Sequence, residues 1–252
     1  MLQVGGSLAG LMNGIVVKRL GHDVTILEKH VSSTREGQAA GIVTMEHSHK
    51  FMDTYDLLKA EPYAVNCSSV QILDKSLKVR ASFARTMRMS SWNCLYYRLR
   101  ANFDGLMSSY CEAAPTESDQ AGKATYDQGK IVTNVKYVDG LVTVEFQNLL
   151  DKTTGSIQAD LVIAADGSTS QLRQLLQPHI KHSYAGYVAW RGVVAESDVS
   201  EETRKIFGLK TTIHAFDGGY IALLVNSFLS RERWLTALQV HNTGWERWPW
   251  AR

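Results

Sequence analysis

The sequence predicts an α/β fold, a parallel sheet with helices to which an antiparallel sheet is added. Residues 1–28 read strand, glycine turn, helix, strand. Residues 159–176 repeat strand, turn and helix. Residues 183–225 hold aromatic-rich runs that alternate polar and apolar, the period of a half-buried strand.

The opening stretch is the most informative. Met1–Val4 is a short apolar strand, and Gly5-Gly6-Ser7-Leu8-Ala9-Gly10 is a turn that opens a helix. Leu8, Leu11, Ile15 and Leu20 lie close to helical spacing, and Gly21 stands where a helix ends. Val24–Leu27 is a second strand with Glu28 at its end. A helix N-terminus offers unpaired N–H groups and partial positive charge, so it suits a diphosphate. Gly5 permits the sharp turn and Gly10 lets helix and strand pack closely. An acid roughly 20 residues on accepts hydrogen bonds from ribose hydroxyls, and Glu28 stands at that spacing. Ser7 replaces the middle glycine of the G-x-G-x-x-G pattern, and its hydroxyl could itself contact phosphate. A chance glycine turn is the alternative. Strand, helix, strand and acid in register favour a Rossmann-like dinucleotide site.

Residues 29–42 form a loop of small residues in which Gly37 and Gly41 allow backbone close to a flat ligand. Arg35 either reaches a phosphate or is a solvated surface residue. Residues 43–60 read as a helix, where His47 and His49 have a poor metal spacing. Val70–Leu73 and Leu77–Phe83 read as strands around an Asp74-Lys75-Ser76 turn. Ser91–Met107 is an amphipathic helix with Leu95, Leu99 and Phe103 in one stripe. Arg98 and Arg100 lie off that stripe and either approach phosphates or stay solvated. Residues 112–124 are a surface loop. Ile131–Val138 and Leu141–Phe146 flank Asp139-Gly140, the signature of a type I′ hairpin. After a polar loop at Asp151–Ser156, the run Ala159–Ala165 suits a buried parallel strand. It ends in Asp166-Gly167, before a helix beginning near Ser170. An acid at the carboxyl end of such a strand lies where ligands bind in open α/β sheets; a plain Asp-Gly turn is the alternative. Ser183–Glu196 is a strand, Asp198 and Ser200 can cap a helix at Glu201–Phe207, and Thr211–Phe216 pairs with Tyr220–Val225 across Asp217-Gly218-Gly219. Past about Asn226 no periodicity holds, and four tryptophans and several arginines crowd the tail.

Composition limits the function classes. The 252 residues suffice for one large or two small cores. A net charge of +2 with dispersed charges gives no argument for nucleic acid. The cysteines, Cys67, Cys94 and Cys111, lack a C-x-x-C pair and read as free thiols in a reducing compartment. No long apolar run or secretory leader is present, so no membrane association and a cytoplasmic location are expected. The sequence leaves oligomeric state open.

Three pieces together, GGSLAG…ILEK, ADLVIAADGSTSQLRQLL and YAGYVAWRGVV, resemble the FAD-dependent aromatic hydroxylases built like p-hydroxybenzoate hydroxylase. Among these it resembles the 2,6-dihydroxypyridine 3-monooxygenase-like group, which shares the Tyr184–Gly192 stretch. The resemblance covers roughly residues 1–225. It implies that Gly5, Gly6, Ser7, Leu8, Ala9 and Gly10, with Glu28 and Lys29, bind the ADP half of FAD. Arg35 and Arg98 join them as candidate cofactor contacts. Asp166-Gly167 would lie near the flavin diphosphate and the transient path of NAD(P)H, and Gly41-Ile42 beside the flavin. The implied reaction is reduction of FAD by NAD(P)H, capture of O2 and transfer of one oxygen atom to a small aromatic or heteroaromatic substrate. Tyr187, Trp190 and Tyr220 are the candidate substrate residues, with ordinary sheet packing as the alternative.

The implied domains are an FAD-binding domain at 1–182 with inserted hairpins and loops, a partial substrate-binding sheet at 183–225, and an atypical tail at 226–252. The family's third fingerprint, a Gly-Asp with downstream Pro and glycines, has no counterpart here. The expectation is therefore a truncated form that holds FAD weakly or not at all. An NAD(P)-dependent reductase and a non-catalytic fragment are the competing readings.

Overall fold

A computed structural model describes residues 1–32, 41–59, 62–216, 219–227 and 233–242. The chain begins with β1 (Leu2–Val4), α1 (Leu8–Arg19), β2 (Val24–Glu28), β3 (Gly41–Thr44) and α2 (Glu46–Tyr55). Next come β4 (Val65–Leu73), β5 (Val79–Ser91), α3 (Trp92–Asp104) and β6 (Ala124–Gln128). β7 (Lys130–Val138), β8 (Leu141–Asn148), β9 (Thr154–Ala159), β10 (Val162–Ala164) and α4 (Gln171–Leu176) follow. The last elements are β11 (Tyr187–Ala195), α5 (Glu201–Phe207), β12 (Lys210–Phe216), β13 (Gly219–Ser227) and β14 (Arg233–Asn242).

These elements cluster into two compact units. The first comprises Met1–Glu36, Phe51–Leu58 and Tyr96–His182, and the second Gly37–Lys50, Lys59–Leu95 and Ser183–Arg252. Two pieces that the sequence assigns to the first domain, 37–50 and 59–95, thus cluster with the second unit, because β4 pairs with β12 and β5 pairs with both β3 and β4.

In the first unit a four-stranded sheet has the order β10-β1-β2-β6, with every pairing parallel. Paired residues share a face, so Gln3, Ile26 and Tyr126 form one row beneath α1. Gly10 and Gly14 let the helix down onto that row: a Cβ on Gly10 would lie 2.9 Å from Gln3 Nε2, and one on Gly14 3.2 Å from Ile26 Cδ1. The opposite face carries Leu2, Val4 and Leu27, which pack against Val132, Val144, Ala159 and Leu172 of the β7-β8-β9 meander and α4. Asp139 and Gly140 both have positive φ, 52° and 83°, as a type I′ turn requires.

The second unit holds a seven-stranded sheet ordered β11-β14-β13-β12-β4-β5-β3. Ser200 Oγ accepts from Thr203 N–H and caps α5, as its position in the sequence predicts.

Several expectations are corrected. The helix expected over 43–60 is confined to Glu46–Tyr55, because Gly41–Thr44 pairs with β5. Leu77 is not in a strand; it sits in the β4–β5 turn with φ 63°, where Asp74 Oδ1 accepts from the Ser76 and Lys78 N–H groups. The run Ala159–Ala165 is split: β9 begins at Thr154, inside the expected polar loop, and ends at Ala159, and β10 takes only Val162–Ala164 at the sheet edge. Leu20 follows α1 and is exposed rather than part of its apolar face. Beyond Asn226 the chain continues as a strand, with β14 paired to both β13 and β11. The backbone ladder decides there, where side-chain periodicity gives no signal.

Candidate functional site

The β1–α1 turn is built as its glycines suggest. Gly5 has φ +99°, and a Cβ there would lie 2.3 Å from the carbonyl oxygen of Ala165. Gly5 N–H donates to Leu27 O, and Ala165 N–H donates to Val4 O. The carboxyl ends of β1, β2 and β10 therefore converge on the turn, bringing Gly5 to Gly10, Glu28 and Asp166-Gly167 together. Ser7 is the N-cap of α1, but its side chain makes no capping bond and the first turn carries no acid. Among the described residues no side chain caps these N–H groups, which leaves a helix end of the kind that suits an anion.

Glu28 is 4% exposed, and its carboxylate is held by two backbone donors. Gly6 N–H donates to Oε2 at 2.8 Å and His30 N–H donates to Oε1 at 2.9 Å. Gly6 is bound on its other side too: Tyr126 Oη donates to Gly6 O at 2.8 Å. Tyr126 lies under the Arg100 guanidinium, 3.6 Å from its ring centroid, and meets Tyr96 Oη at 3.3 Å. Burial, then the neighbouring Tyr96, raises the Tyr126 phenol far above its ordinary range, so it stays protonated. Burial, the largest single influence, lowers the Arg100 pKa, but the hydrogen bonds and charge of Asp104, joined by Tyr96 and Tyr126, together outweigh it and raise the value, so Arg100 stays charged.

The other candidates are placed as follows. Lys29 is exposed beside Glu28. Asp166 Oδ2 accepts from the N–H groups of Gln171 and Leu172 at the start of α4, and Gly167 has φ +82° with open space around it. Arg98 and Arg100 are not solvated; they are 1% and 5% exposed. Arg98 Nε donates to Asp56 Oδ2 at 2.6 Å and its Nη2 bonds Leu58 O, which ties it to the end of α2. Asn102 Nδ2 donates to the other Asp56 oxygen. Gly41 and Ile42 begin β3 in the second unit, opposite Ser91 and Ser90. Arg35 lies outside the described residues.

Register separates the three aromatic candidates. Tyr220 pairs through position 240 with Ala189, so it shares a face with the odd-numbered residues of β11, Tyr187 among them. Trp190 pairs through position 239 with Ile221 and then His214, on the opposite face. One face cannot present all three. Tyr126 is not legible in the sequence as a site residue, because β6 is a five-residue strand directly after a polar loop. Its only sequence signal is the tyrosine within ATYDQ.

A glycine turn, a buried acid at the end of β2 and an Asp-Gly corner lie on one parallel sheet, in a chain that also carries a large mixed sheet, and this is the fold of flavin-dependent monooxygenases. The chain is similar to these flavoproteins in sequence and in fold. It is 27% identical over 220 residues to the 2,6-dihydroxypyridine 3-monooxygenase of Paenarthrobacter nicotinovorans, spanning 86% of this chain and 49% of that protein. The structure of 2,6-dihydroxypyridine-3-hydroxylase from Arthrobacter nicotinovorans superposes with a TM-score of 0.75 at 25% identity, over 96% of this chain and 56% of that one. The p-nitrophenol 4-monooxygenase PnpA from Pseudomonas putida DLL-E4 shares the fold, with a TM-score of 0.68 at 16% identity over 94% of this chain and 56% of that one. The FAD binding domain-like family matches residues 184–226. The chain spans about half the length of the curated relative it matches. Among the described residues no helix is long and apolar enough to cross a membrane.

The residues present fit FAD. The space a Cβ would fill at Gly5 and Gly10 is taken by backbone, the α1 N-terminus carries no side-chain cap, and Glu28 is oriented at the end of β2.

Proposed function

We propose that the chain binds FAD at the β1–α1 turn and hydroxylates a small aromatic or heteroaromatic substrate at the expense of NAD(P)H and O2. The observation that carries the reading is the Glu28 carboxylate, fixed 2.8 Å from Gly6 N beside an uncapped helix end. Homology to a dihydroxypyridine monooxygenase supports the reaction class. In this reading the first unit is the FAD-binding domain and the strands of 183–225 carry the substrate.

The first-turn N–H groups of α1 take the diphosphate, and Ser7 adds a hydroxyl. Glu28 accepts from the ribose hydroxyls, with its orientation already set by Gly6 and His30. Lys29 and Arg35 add positive charge, Asp166-Gly167 lie beside the diphosphate, and Gly41-Ile42 lie beside the flavin ring. Arg98, already paired with Asp56, is left as a structural residue. Bound flavin supplies electron transfer and oxygen activation. The chain's own residues hold it and orient the substrate ring, which packs against Tyr187 and Tyr220 on one sheet face. The buried thiols of Cys67, Cys94 and Cys111, none of them in a disulfide, favour a reducing compartment such as the cytoplasm.

The test is titration of the purified chain with FAD and with NAD, followed by assays of oxygen uptake with dihydroxypyridines and phenols. Expected are tighter binding of FAD, substrate-stimulated oxidation of NADH or NADPH, and a product heavier by one oxygen atom. Preference for NAD over FAD would overturn the flavoprotein reading. FAD binding without any substrate-dependent NAD(P)H oxidation would overturn the hydroxylase reading for this chain.

A further inference from the structure

We propose that Tyr126 is a positioning residue of the dinucleotide turn, whose phenol fixes and polarises the Gly6–Ser7 peptide that faces the diphosphate. The proposal rests on the dinucleotide reading above.

Gly6 is gripped from two neighbouring strands. Glu28 on β2 takes its N–H, and Tyr126 on β6 donates to its carbonyl, each at 2.8 Å. The fit leaves no slack: a Cβ at residue 6 would lie 2.2 Å from Tyr126 Oη. The phenol ring thus occupies the place of a side chain and sets the height of the turn above the sheet.

Tyr126 is itself held. Arg100 stacks on its ring, Phe103 meets it edge-on at 6.5 Å between centroids, and Arg100 is anchored by Asp104. The donor inventory orders the protons. Arg100 can only donate, and its Nη1 donates to Tyr96 Oη at 2.9 Å. The Gly6 carbonyl can only accept, so the single Tyr126 proton goes there. The 3.3 Å contact between the phenols is then Tyr96 donating to Tyr126. The chain of bonds runs from the Arg100 cation to the Gly6 carbonyl, each bond strengthening the next. Drawing electrons toward that carbonyl makes the N–H of the same peptide, on Ser7, a better donor. Ser7 N–H belongs to the open end of α1, where an anion would sit.

Tyr126→Phe keeps the ring and removes the donor. ADP and adenosine are titrated separately into the whole 252-residue chain and the variant. The expected result is an ADP dissociation constant raised about tenfold, the scale of one lost hydrogen bond, with adenosine affinity unchanged. A merely structural tyrosine would weaken both ligands together. Arg100→Lys, which keeps the charge facing Asp104 but loses the planar stack, should weaken ADP about threefold in the same selective way. It decides the matter if Tyr126→Phe fails to fold. Equal ADP affinity in wild type and variant, or parallel loss of ADP and adenosine, would overturn the assignment. Failure of the wild-type chain to bind either ADP or FAD would remove the dinucleotide reading and this proposal with it.

Discussion

Replacing Gln3 with methionine should stabilise the first unit. Gln3 is the middle residue of β1, is 0% exposed, and lies in the row beneath α1. Neither its Nε2 nor its Oε1 has a hydrogen-bond partner among the described residues. The helix side is closed by Gly10, where a Cβ would lie 2.9 Å from Nε2, so the amide has no room to reach water. A buried polar group without a partner costs about 1–3 kcal/mol relative to an apolar group of the same shape. Methionine has the same unbranched length, and a volume-conserving swap costs under about 1.5 kcal/mol. The expected net gain is about 1–2 kcal/mol. For a urea dependence of about 2 kcal/mol per molar, that raises the midpoint by roughly 0.5–1 M. Two units need not unfold together, so the signal should come from the first, for instance hydrogen exchange of the β1 and α1 amides followed through the urea series. Gln3→Ala serves as the size control and should lose stability through the cavity it leaves. A Gln3→Met midpoint at or below wild type would mean the amide is satisfied in solution, and the reasoning would fail.

Arg98→Met should destabilise the chain by about 3–5 kcal/mol, because it strands the buried Asp56 carboxylate. It should leave the FAD affinity of the protein that remains folded unchanged; the reverse pattern in urea and FAD titrations would return Arg98 to the cofactor. Tyr220→Phe and Tyr187→Phe should both change the KM for an aromatic substrate, whereas Trp190→Phe should not, since Trp190 lies on the other sheet face. Equal KM effects from all three would contradict the register. Asp74 and Asp151 are held below their ordinary value of 3.8, chiefly by hydrogen bonds from Ser76 and Thr153. A carboxylate with a lowered folded-state pKa contributes stability above about pH 4 that is lost as the pH falls through the folded value. The double variant Asp74→Asn and Asp151→Asn should therefore lie closer to wild type in urea midpoint at pH ~3 than at pH ~6, and a constant gap would refute it.

The β1–α1–β2 unit is legible in the sequence because each feature is local. A positive-φ glycine, a helix spacing and an acid at a strand end all act within the first 28 residues. The Asp139-Gly140 turn and the Ser200 cap are legible for the same reason: one residue's backbone or side chain meets its near neighbours. The Leu95, Leu99 and Phe103 stripe of α3 is buried as its spacing predicts. Arg98 and Arg100 are not legible. On a helix whose other face is also covered, position off the stripe does not mean solvent.

What the sequence by itself determined, then, is the kind of turn, the helix it opens and the acid that follows, since backbone preference and short-range hydrogen bonding decide these. Only the tertiary structure decided what those groups touch. Tyr126 reaches Gly6 across 120 positions and Arg98 reaches Asp56 across 42. Trp190 parts from Tyr220 because strands far apart in the chain lock into one register. Such partners are chosen by packing and by the need to satisfy buried polar groups, and no local pattern encodes which distant residue will answer.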